Sequence, residues 1–534
     1  MKILVCDPIS PKGIALLQQR PEFEVVVLPK RLSEEELLPV VKDAAALVVR
    51  SETKVTAKVI DAAKSLRVVG RAGVGVDNVD VAAATQHGVV VMNTPGGNTI
   101  TTAELTFTML LNLARKVPQA HASMVAGKWD RKLFSGVEVC GKTLGVLGMG
   151  RIGTEVAKRA LAFGMRVLGY DPFLTEARAR ALGVELVTEL DSLYREADFI
   201  TVHMPVTEQT RGMLNAAAFA RMKPKVCIVN CARGEIIVEK DLLAALESGK
   251  IGGAALDVYA TEPLPADHPF RKHAGLVLTP HLGASTGEAQ EKCGIEVAEV
   301  ITAYLLTGEV RNAVNLPYLD ARTYEQVKPY LTLGEKLGKL LAQLQSAGAH
   351  ADRLHVTYGG KAQELPNIDP ITRSILMGFL SGAAVKDLNN VNVRSIASTL
   401  GLTVEEKRSN EPVTFNEWLH VQVFRGQEKL ASAGGTFFGS PDNPRIVRIF
   451  SQPTEIVPEG VVLLLNNRDR PGIIGYLGTV MARHNVNIAN MSLSRDSAGG
   501  KALTVFNLDS VPSEGALKEL EQDKDISNVR VVKL

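Results

Sequence analysis

The sequence has 534 residues, of which 60 are Lys or Arg and 58 are Asp or Glu. At about 150 residues per domain, this length predicts about three or four domains, each large enough for its own core. Because the charges nearly balance, the composition does not indicate a general affinity for nucleic acid or for an anionic membrane, and we expect a small molecule as the substrate.

The cysteines and the amino terminus bear on where the protein works. The five cysteines are few and odd in number, and none forms a C-x-x-C pair, which is typical of reduced thiols in the cytoplasm. The chain reaches Asp7 after four apolar residues, too soon for the apolar core of a signal peptide, and no long uncharged apolar run follows. We therefore expect a cytoplasmic protein, and no metal site.

Residues 1–97 alternate short apolar runs with helical patterns, which predicts a parallel sheet. The runs lie at residues 3–5, 25–28, 46–49, 68–69 and 89–91. Arg50 and Ser51 follow the third run, and residues 71–75 follow the fourth. Ligands of open parallel sheets lie beyond the carboxyl ends of the strands, so these positions are candidates for binding an anionic substrate. The alternative for Arg50 or Arg71 alone is a solvated surface charge.

A turn at residues 95–98 ends this first lobe, and an apolar helical pattern follows over residues 101–113. We expect a crossover helix into a second lobe, with Thr101 or Thr102 near its amino-terminal cap. The basic loop at residues 127–132 comes next, and such a charge cluster is usually solvated unless it lies beside a phosphate site.

Residues 142–171 hold the most informative pattern. An apolar run leads into G-x-G-x-x-G at Gly148, Gly150 and Gly153, and a helical pattern connects it to a second apolar run that ends in Asp171. The first glycine permits a tight turn, the second lets the backbone approach a pyrophosphate, and the third lets helix pack on strand. Asp171 would bind ribose hydroxyls and repel the extra phosphate of NADP, so NAD is predicted. A purely structural glycine turn is the alternative.

Four more apolar runs follow, at residues 199–202, 226–229, 253–256 and 276–279, and polar residues come after each. These polar residues are expected to meet at the sheet edge where the cofactor lies.

Three polar residues of this region form a chemical set. His281 suits the base that takes a hydroxyl proton, Glu262 the carboxylate that orients it, and Arg233 the cation that binds a substrate carboxylate. Taken singly, each has a plain alternative: a hydrogen-bonded core histidine, a surface acid and a surface cation.

Four stretches of the chain resemble the D-2-hydroxyacid dehydrogenase family: residues 147–153, 230–235, 255–263 and 280–286. The likeness is closest to the long members that act on phosphoglycerate, and it is dense over residues 1–315. It implies an α/β fold with two doubly wound parallel-sheet lobes, one flavodoxin-like for the substrate and one Rossmann lobe for NAD, followed by an α+β intervening domain and a ferredoxin-like ACT domain. The implied boundaries are 1–97 (substrate lobe, first part), 98–285 (NAD lobe), 286–315 (return to the substrate lobe), 316–455 (intervening domain) and 456–534 (ACT domain).

The resemblance also assigns site residues by position. His281 becomes the acid/base, Glu262 its partner and Arg233 the substrate-orienting cation. The residues implied to line NAD are Val74, Gly148, Gly150, Arg151, Ile152, Gly153, Asp171, Cys231, Ala232, Asp257, His281, Gly283 and Ala284. Those implied to bind substrate are Arg50, Ser51, Arg71, Gly73, Asn98, Arg131, Arg233 and His281, with basic groups of the first lobe and of a neighbouring subunit on the phosphate. For Cys231, a small packed residue is the alternative.

The C-terminal third separates into two parts. Residues 316–454 mix helical and strand patterns without a catalytic set, and they resemble the intervening domain of the long family members. From residue 460 the patterns follow the order β-α-β-β-α-β of the ferredoxin-like split unit, with a turn expected at residues 466–472.

The stretches 469–474 and 485–488 resemble the ACT domain, a small-ligand regulatory module that pairs between subunits. This resemblance implies L-serine as the effector, bound by Asn467, Asp469 and Asn487, and a homo-oligomer, either dimer or tetramer. Loop residues that cap a turn and a helix are the alternative.

The leading hypothesis is an NAD-dependent dehydrogenase that oxidises 3-phosphoglycerate to 3-phosphohydroxypyruvate, the first step of serine synthesis, with serine as inhibitor. A second is a reductase of glyoxylate or hydroxypyruvate, and a third is an NAD-sensing binding protein of the same fold. The intact set of Arg233, Glu262 and His281 and the C-terminal module count against the third.

Overall fold

The computed structural model describes residues 1–317, 321–345, 350–382, 387–411 and 417–534. These residues form four β-sheets with helices packed against them. Among them, no helix combines the length and apolar character needed to cross a membrane.

The first lobe is a parallel sheet with helices on both faces. Its strands are β1 (Lys2–Val5), β2 (Glu24–Val27), β3 (Ala44–Val49), β4 (Val68–Arg71) and β5 (Val90–Asn93). Its helices are α1 (Pro11–Gln18), α2 (Glu34–Leu37), α3 (Ala57–Ala62) and α4 (Val81–Gln86). Strand β3 is buried along its whole length, as expected for a parallel strand covered on both sides. The strand order β2-β1-β3-β4-β5 is that of flavodoxin-like sheets and confirms the predicted fold.

The second lobe is a seven-stranded parallel sheet. Its strands are β6 (Thr143–Leu147), β7 (Arg166–Tyr170), β8 (Glu185–Leu186), β9 (Phe199–Val202), β10 (Val226–Asn230), β11 (Ile251–Leu256) and β12 (Leu276–Leu278). Its helices are α5 (Thr99–Arg115), α6 (Val117–Val125), α7 (Arg151–Ala162), α8 (Glu176–Leu182), α9 (Leu190–Glu196), α10 (Ala216–Arg221) and α11 (Glu239–Glu247). The order β12-β11-β10-β9-β6-β7-β8 is the Rossmann arrangement extended by one strand, as predicted. Short 3-10 helices cover Arg131–Phe134, Gly234–Ile236 and Pro269–Lys272.

The start of α5 corrects one prediction. The helix begins at Thr99 after Asn98, so neither Thr101 nor Thr102 caps it. Both threonine hydroxyls instead bond to residues far along the chain: Thr102 donates to the carbonyl oxygen of Gly283 at 2.7 Å, and Thr101 lies 3.1 Å from the hydroxyl of Thr286. The prediction was wrong because these long-range bonds claim the hydroxyls that local capping would use.

After β12 the chain returns to the first lobe through α12 (Gly287–Thr307). This helix packs so closely on α1 that a Cβ on Gly13 would collide with the backbone of Gly294. Beyond it, Val314 donates to the carbonyl oxygen of Val91 at 2.7 Å. On this ground we retain the predicted boundary at residues 285 and 286 as a proposal.

The third unit is a six-stranded mixed sheet with three helices. Its elements are α13 (Ala321–Leu344), β13 (Arg353–Gly360), α14 (Asp369–Leu380), α15 (Val393–Thr399), β14 (Thr403–Ser409), β15 (Glu417–Arg425), β16 (Glu428–Phe437), β17 (Pro444–Ile449) and β18 (Gln452–Ile456). The order is β14-β13-β15-β16-β17-β18, in which β13 and β14 are parallel and the other four neighbouring pairs are antiparallel. This matches the predicted α+β class.

The C-terminal unit is the predicted ferredoxin-like fold. Its elements are β19 (Val461–Arg468), α16 (Ile473–Arg483), β20 (Ile488–Arg495), β21 (Lys501–Leu508), α17 (Glu514–Glu521) and β22 (Ile526–Lys533), in the antiparallel order β20-β21-β19-β22. The predicted turn begins later than residue 466, because Asn466 and Asn467 pair with β21 and stay in the strand, which ends at Arg468.

Candidate active site

The catalytic candidates His281 and Glu262 form a hydrogen-bonded pair. Nδ1 of His281 lies 2.7 Å from Oε2 of Glu262, whose other oxygen accepts the N–H of Tyr259 at 3.0 Å. Because a carboxylate only accepts, Nδ1 carries the proton and Nε2 is the basic nitrogen. The geometry is the one expected from the sequence, and the catalytic role stays a prediction.

Each member of this pair shifts the pKa of the other. The hydrogen bond to Glu262 raises the pKa of His281, against the effect of burial. Burial alone would raise the pKa of Glu262, but the hydrogen bond and charge of His281 outweigh it, and the pKa is lowered. Both shifts favour the imidazolium and carboxylate forms, which is the state that His281 reaches when it takes a proton.

Asp257, at the end of β11, holds the loop that carries His281. It is fully buried, and its Oδ1 accepts the hydroxyl of Thr279 at 2.6 Å and the N–H of Leu282 at 2.7 Å. Its Oδ2 accepts the N–H of Gly283 at 2.9 Å. His281 itself has a φ of 56°, a left-handed conformation that is uncommon outside glycine. Asp257 therefore lies beneath the loop, and its direct contact with NAD stays a prediction.

Arg233 reaches across the cleft between the lobes from the end of β10. Its Nε and Nη2 lie 3.0 and 2.9 Å from Oδ2 of Asp77, which follows β4 of the first lobe. Its Nη1 donates to the carbonyl oxygen of Ala232 at 2.6 Å. The charge of Arg233 acts to lower the pKa of both Glu262 and His281, so the three candidates lie within electrostatic reach of one another.

Arg71 adds a second guanidinium to this cleft. The guanidinium of Arg71 lies against Gly73, where a Cβ would collide with it. The guanidinium of Arg233 lies against Gly75 in the same way. Burial, followed by the charge of Arg233, lowers the pKa of Arg71 to about 10. Its Nε is buried and has no hydrogen-bond partner among the described residues. A buried cation in this state favours an anionic ligand.

The other predicted substrate contacts lie on the same edge of the first lobe. Arg50 is half-buried and donates from Nη1 to the carbonyl oxygen of Pro8 at 3.3 Å, and Ser51 beside it is exposed. Oδ1 of Asn98 is buried and unpartnered within the described part of the chain.

The three glycines of G-x-G-x-x-G have three different environments. Gly148 has a φ of 97°, as the tight turn requires. A Cβ on Gly153 would collide with the carbonyl oxygen of Gly148, so α7 packs directly on the turn. A Cβ on Gly150 would meet nothing within 4 Å. This open space at the amino terminus of α7 fits a pyrophosphate.

Asp171, at the end of β7, lies beside the glycine turn. Together the turn, the amino terminus of α7 and Asp171 form what we call the NAD cradle. Its Oδ2 accepts the N–H of Met149 and its Oδ1 the N–H of Phe173, both at 2.8 Å. Each oxygen keeps a lone pair for a ribose hydroxyl. The residues present therefore fit NAD.

The remaining predicted NAD contacts differ in exposure. Arg151 is exposed at the start of α7, whereas Ile152, Ala232, Ala284 and Val74 are half-buried. Cys231 is buried, and burial raises the pKa of its thiol to about 12, which fits the alternative of a packed, neutral residue.

Arg131 is not in this cleft. It is exposed on the short helix Arg131–Phe134 beside α6, and no hydrogen bond or ion pair within the described residues joins it to the other substrate candidates. Its predicted phosphate contact stays a prediction.

The predicted effector residues are bonded within their own unit. Asn467 is buried and accepts the hydroxyl of Thr504 at 2.7 Å. Asp469 pairs with Arg495 at 2.6 Å. The exposed Asn487 donates to Asp509 at 2.7 Å. Asn487 is thus the most accessible of the three, and the effector site itself stays a prediction.

Three family models match the chain. The D-isomer specific 2-hydroxyacid dehydrogenase NAD binding domain matches residues 107–283, the D-3-phosphoglycerate dehydrogenase intervening domain matches residues 326–450, and the ACT domain matches residues 461–525.

Similar proteins span the whole chain. A D-3-phosphoglycerate dehydrogenase of Synechocystis is 42% identical over 100% of this chain and 95% of the relative, and one of Archaeoglobus fulgidus is 42% identical over 100% of both. Among solved structures, an NAD⁺-bound 3-phosphoglycerate dehydrogenase of Entamoeba histolytica is 30% identical, with a TM-score of 0.51, and covers 60% of this chain and 99% of that one. A glyoxylate reductase of Paecilomyes thermophila is 30% identical, with a TM-score of 0.55, and the match covers 59% of this chain and 98% of that one.

Proposed function

Because this chain belongs to the D-isomer specific 2-hydroxyacid dehydrogenase family, we propose that it oxidises 3-phospho-D-glycerate to 3-phosphohydroxypyruvate with NAD. The observation that carries the proposal is the pair of His281 and Glu262 beside Arg233 and Arg71, at the edge of a sheet with an NAD cradle. Two anionic groups on one substrate suit a cleft with this many guanidinium groups.

His281, Glu262 and Arg233 have separate roles in the reaction. Bound NAD supplies the hydride acceptor. Nε2 of His281 takes the proton of the substrate hydroxyl, and Glu262 stabilises the imidazolium that results. Arg233 binds the substrate carboxylate and so holds the hydroxyl-bearing carbon before the imidazole.

The phosphate is the feature that separates this substrate from the alternatives. Glyoxylate and hydroxypyruvate carry one anionic group, which Arg233 alone satisfies, and they offer no second anionic group to Arg71 and Arg50. An NAD-sensing binding protein has no need of a base with its pKa raised by a carboxylate partner. We therefore favour the phosphorylated substrate and an enzymatic role.

A substrate panel tests this proposal. The purified protein should form NADH from 3-phosphoglycerate, and Arg50→Ala should lower kcat/KM for this substrate by about tenfold or more, while rates with glyoxylate and hydroxypyruvate change little. The exposed Arg20→Ala is the control cation of the same lobe. If the protein oxidises NADH with glyoxylate or hydroxypyruvate but forms no NADH from 3-phosphoglycerate, or if Arg50→Ala affects all substrates alike, the phosphate assignment fails.

The C-terminal unit supports regulation by L-serine. It has the fold of a small-ligand module, and the polar side chain of Asn487 is exposed there. Serine should slow NADH formation, and Asn487→Ala should raise the half-inhibitory concentration about tenfold. An unchanged serine titration would remove Asn487 from the effector site.

A homo-oligomer, dimer or tetramer, is part of the proposal. Large apolar side chains on α6 and the segment after it are exposed: Val117, Met124, Val125, Trp129, Leu133 and Val137. Such a patch indicates a protein interface, and Arg131 lies within it, so a second copy can bring Arg131 to the substrate phosphate. Light scattering should give at least a dimer, and a monomer would contradict this.

The five free thiols support the cytoplasm as the place of action.

A further inference from the structure

The ion pair between Arg233 and Asp77 connects the two lobes at the candidate site. The two residues are 156 positions apart in sequence, and they meet because β10 of one lobe and β4 of the other end at the same cleft. Sequence analysis did not single out Asp77, although it lies two residues after Gly75 on the edge predicted to bind ligand.

The contacts of Arg233 use three of its N–H groups, one on each nitrogen. Nε and Nη2 share one oxygen of Asp77, and Nη1 donates to the carbonyl oxygen of Ala232. A guanidinium has five N–H groups, so one N–H on Nη1 and one on Nη2 are left without an acceptor in the described part of the chain. One remaining donor on each terminal nitrogen suits the two oxygens of a carboxylate.

The ion pair contributes little to stability. The side chain of Asp77 is 69% exposed, and exposed pairs are screened by water. The charge of Asp77 also acts on Arg71, in the direction that favours the charged form of Arg71. The effect of Asp77 is therefore to hold the guanidinium groups of Arg233 and Arg71 in place.

We propose that Asp77 is a positioning residue: it fixes the plane of Arg233 so that the two remaining N–H groups face the substrate carboxylate. This inference rests on the proposed function of Arg233 as the carboxylate-binding cation. Asp77 stays paired when substrate binds, because the substrate uses the edge that Asp77 leaves open.

Steady-state kinetics of Asp77→Ala and Asp77→Asn test the inference. In Asp77→Ala, KM for 3-phosphoglycerate should rise about tenfold, since a misplaced cation loses most of its carboxylate contact. The NADH dissociation constant and the melting temperature should stay at their wild-type values. Asp77→Asn keeps an oxygen acceptor for Nε and Nη2, so its KM should lie between those of Asp77→Ala and the wild type.

Asp43→Ala is the matched control. Asp43 is 70% exposed and paired with Lys2 at 2.8 Å, but it precedes β3 and so lies at the opposite edge of the same sheet. Its KM should equal the wild-type value.

The outcomes separate this inference from the proposed function. A wild-type protein that forms no NADH from 3-phosphoglycerate overturns the proposed function itself. An active wild type together with an Asp77→Ala variant of equal KM shows that Asp77 does not position Arg233. A lower KM in Asp77→Ala shows that Asp77 competes with the substrate, which also contradicts the inference. If Asp77→Ala has a lowered melting temperature, the comparison of Asp77→Asn with wild type decides.

Discussion

His281 and Glu262 share one hydrogen-bonded proton, and the reaction requires a different protonation state of each. A base that acts near neutral pH must be free to protonate, and a carboxylate beside it must stay charged to stabilise the product of that step. The shifts found here, upward for the pKa of His281 and downward for that of Glu262, have these directions. The pair therefore acts as a unit, and a change in one residue is expected to appear in the titration of the other.

Glu262→Gln tests this coupling. Oxidation requires neutral His281, so kcat/KM should rise with pH through the pKa of His281. The pKa is raised mainly by the hydrogen bond to Glu262, so removal of the charge should move the rising limb to lower pH. The amide oxygen can still accept the N–H of Tyr259, so the loop is preserved. A pH profile of kcat/KM that stays in place, or moves to higher pH, would show that Glu262 does not control the base.

At the scale of elements, the glycine turn before α7 has two tasks: one of its glycines lets the helix pack on the turn, and another leaves space for a ligand. Gly153 leaves no room for a side chain, whereas Gly150 faces open space. The same substitution should therefore have different consequences at the two positions, although both belong to one motif.

Gly150→Ala should fold with a wild-type melting temperature but bind NADH at least about tenfold more weakly, because its methyl group enters the space that fits the pyrophosphate. Gly153→Ala should lower the melting temperature, because its methyl group meets the backbone of Gly148. Thermal unfolding and NADH fluorescence titration measure the two effects. Equal effects of both variants on stability would contradict the division of roles.

Elements whose identity depends on local patterns could be predicted from the sequence. The alternating strands of both lobes and the span Ile473–Arg483 of α16 follow from apolar periodicity and turn residues. The start of α5 could not be predicted, because Thr102 bonds to Gly283, 181 positions away. The partner of Arg233 escaped prediction for the same reason: its position depends on how the lobes meet, and no local signal in the sequence records it.

At the scale of the whole molecule, the intervening and C-terminal units share a core. One face of the C-terminal sheet packs on α16 and α17, and the other, which includes Val462, Leu464 and Val505, joins the cluster that includes Leu337 of α13. The side chain of Gln343 on α13 also pairs with both backbone groups of Lys533 at 3.0 Å. The C-terminal unit is therefore in direct contact with α13.

Leu464→Ala should lower the free energy of unfolding by about 2–5 kcal/mol, because it leaves a cavity in this shared core. Ile474→Ala, on the exposed side of α16, is the comparison and should cost about 0.5 kcal/mol or less. Denaturant unfolding followed by circular dichroism measures both. Similar values for the two variants would mean that the two units do not pack as described.

The central claim is that His281 is the base of an NAD-dependent dehydrogenase. Its most direct test is the turnover of His281→Asn with 3-phosphoglycerate, measured beside the NADH dissociation constant of the same preparation. We predict a loss in kcat of about a hundredfold or more with an unchanged NADH dissociation constant, since the imidazole moves a proton and is not part of the glycine turn that would hold the pyrophosphate. Wild-type turnover in this variant would contradict it.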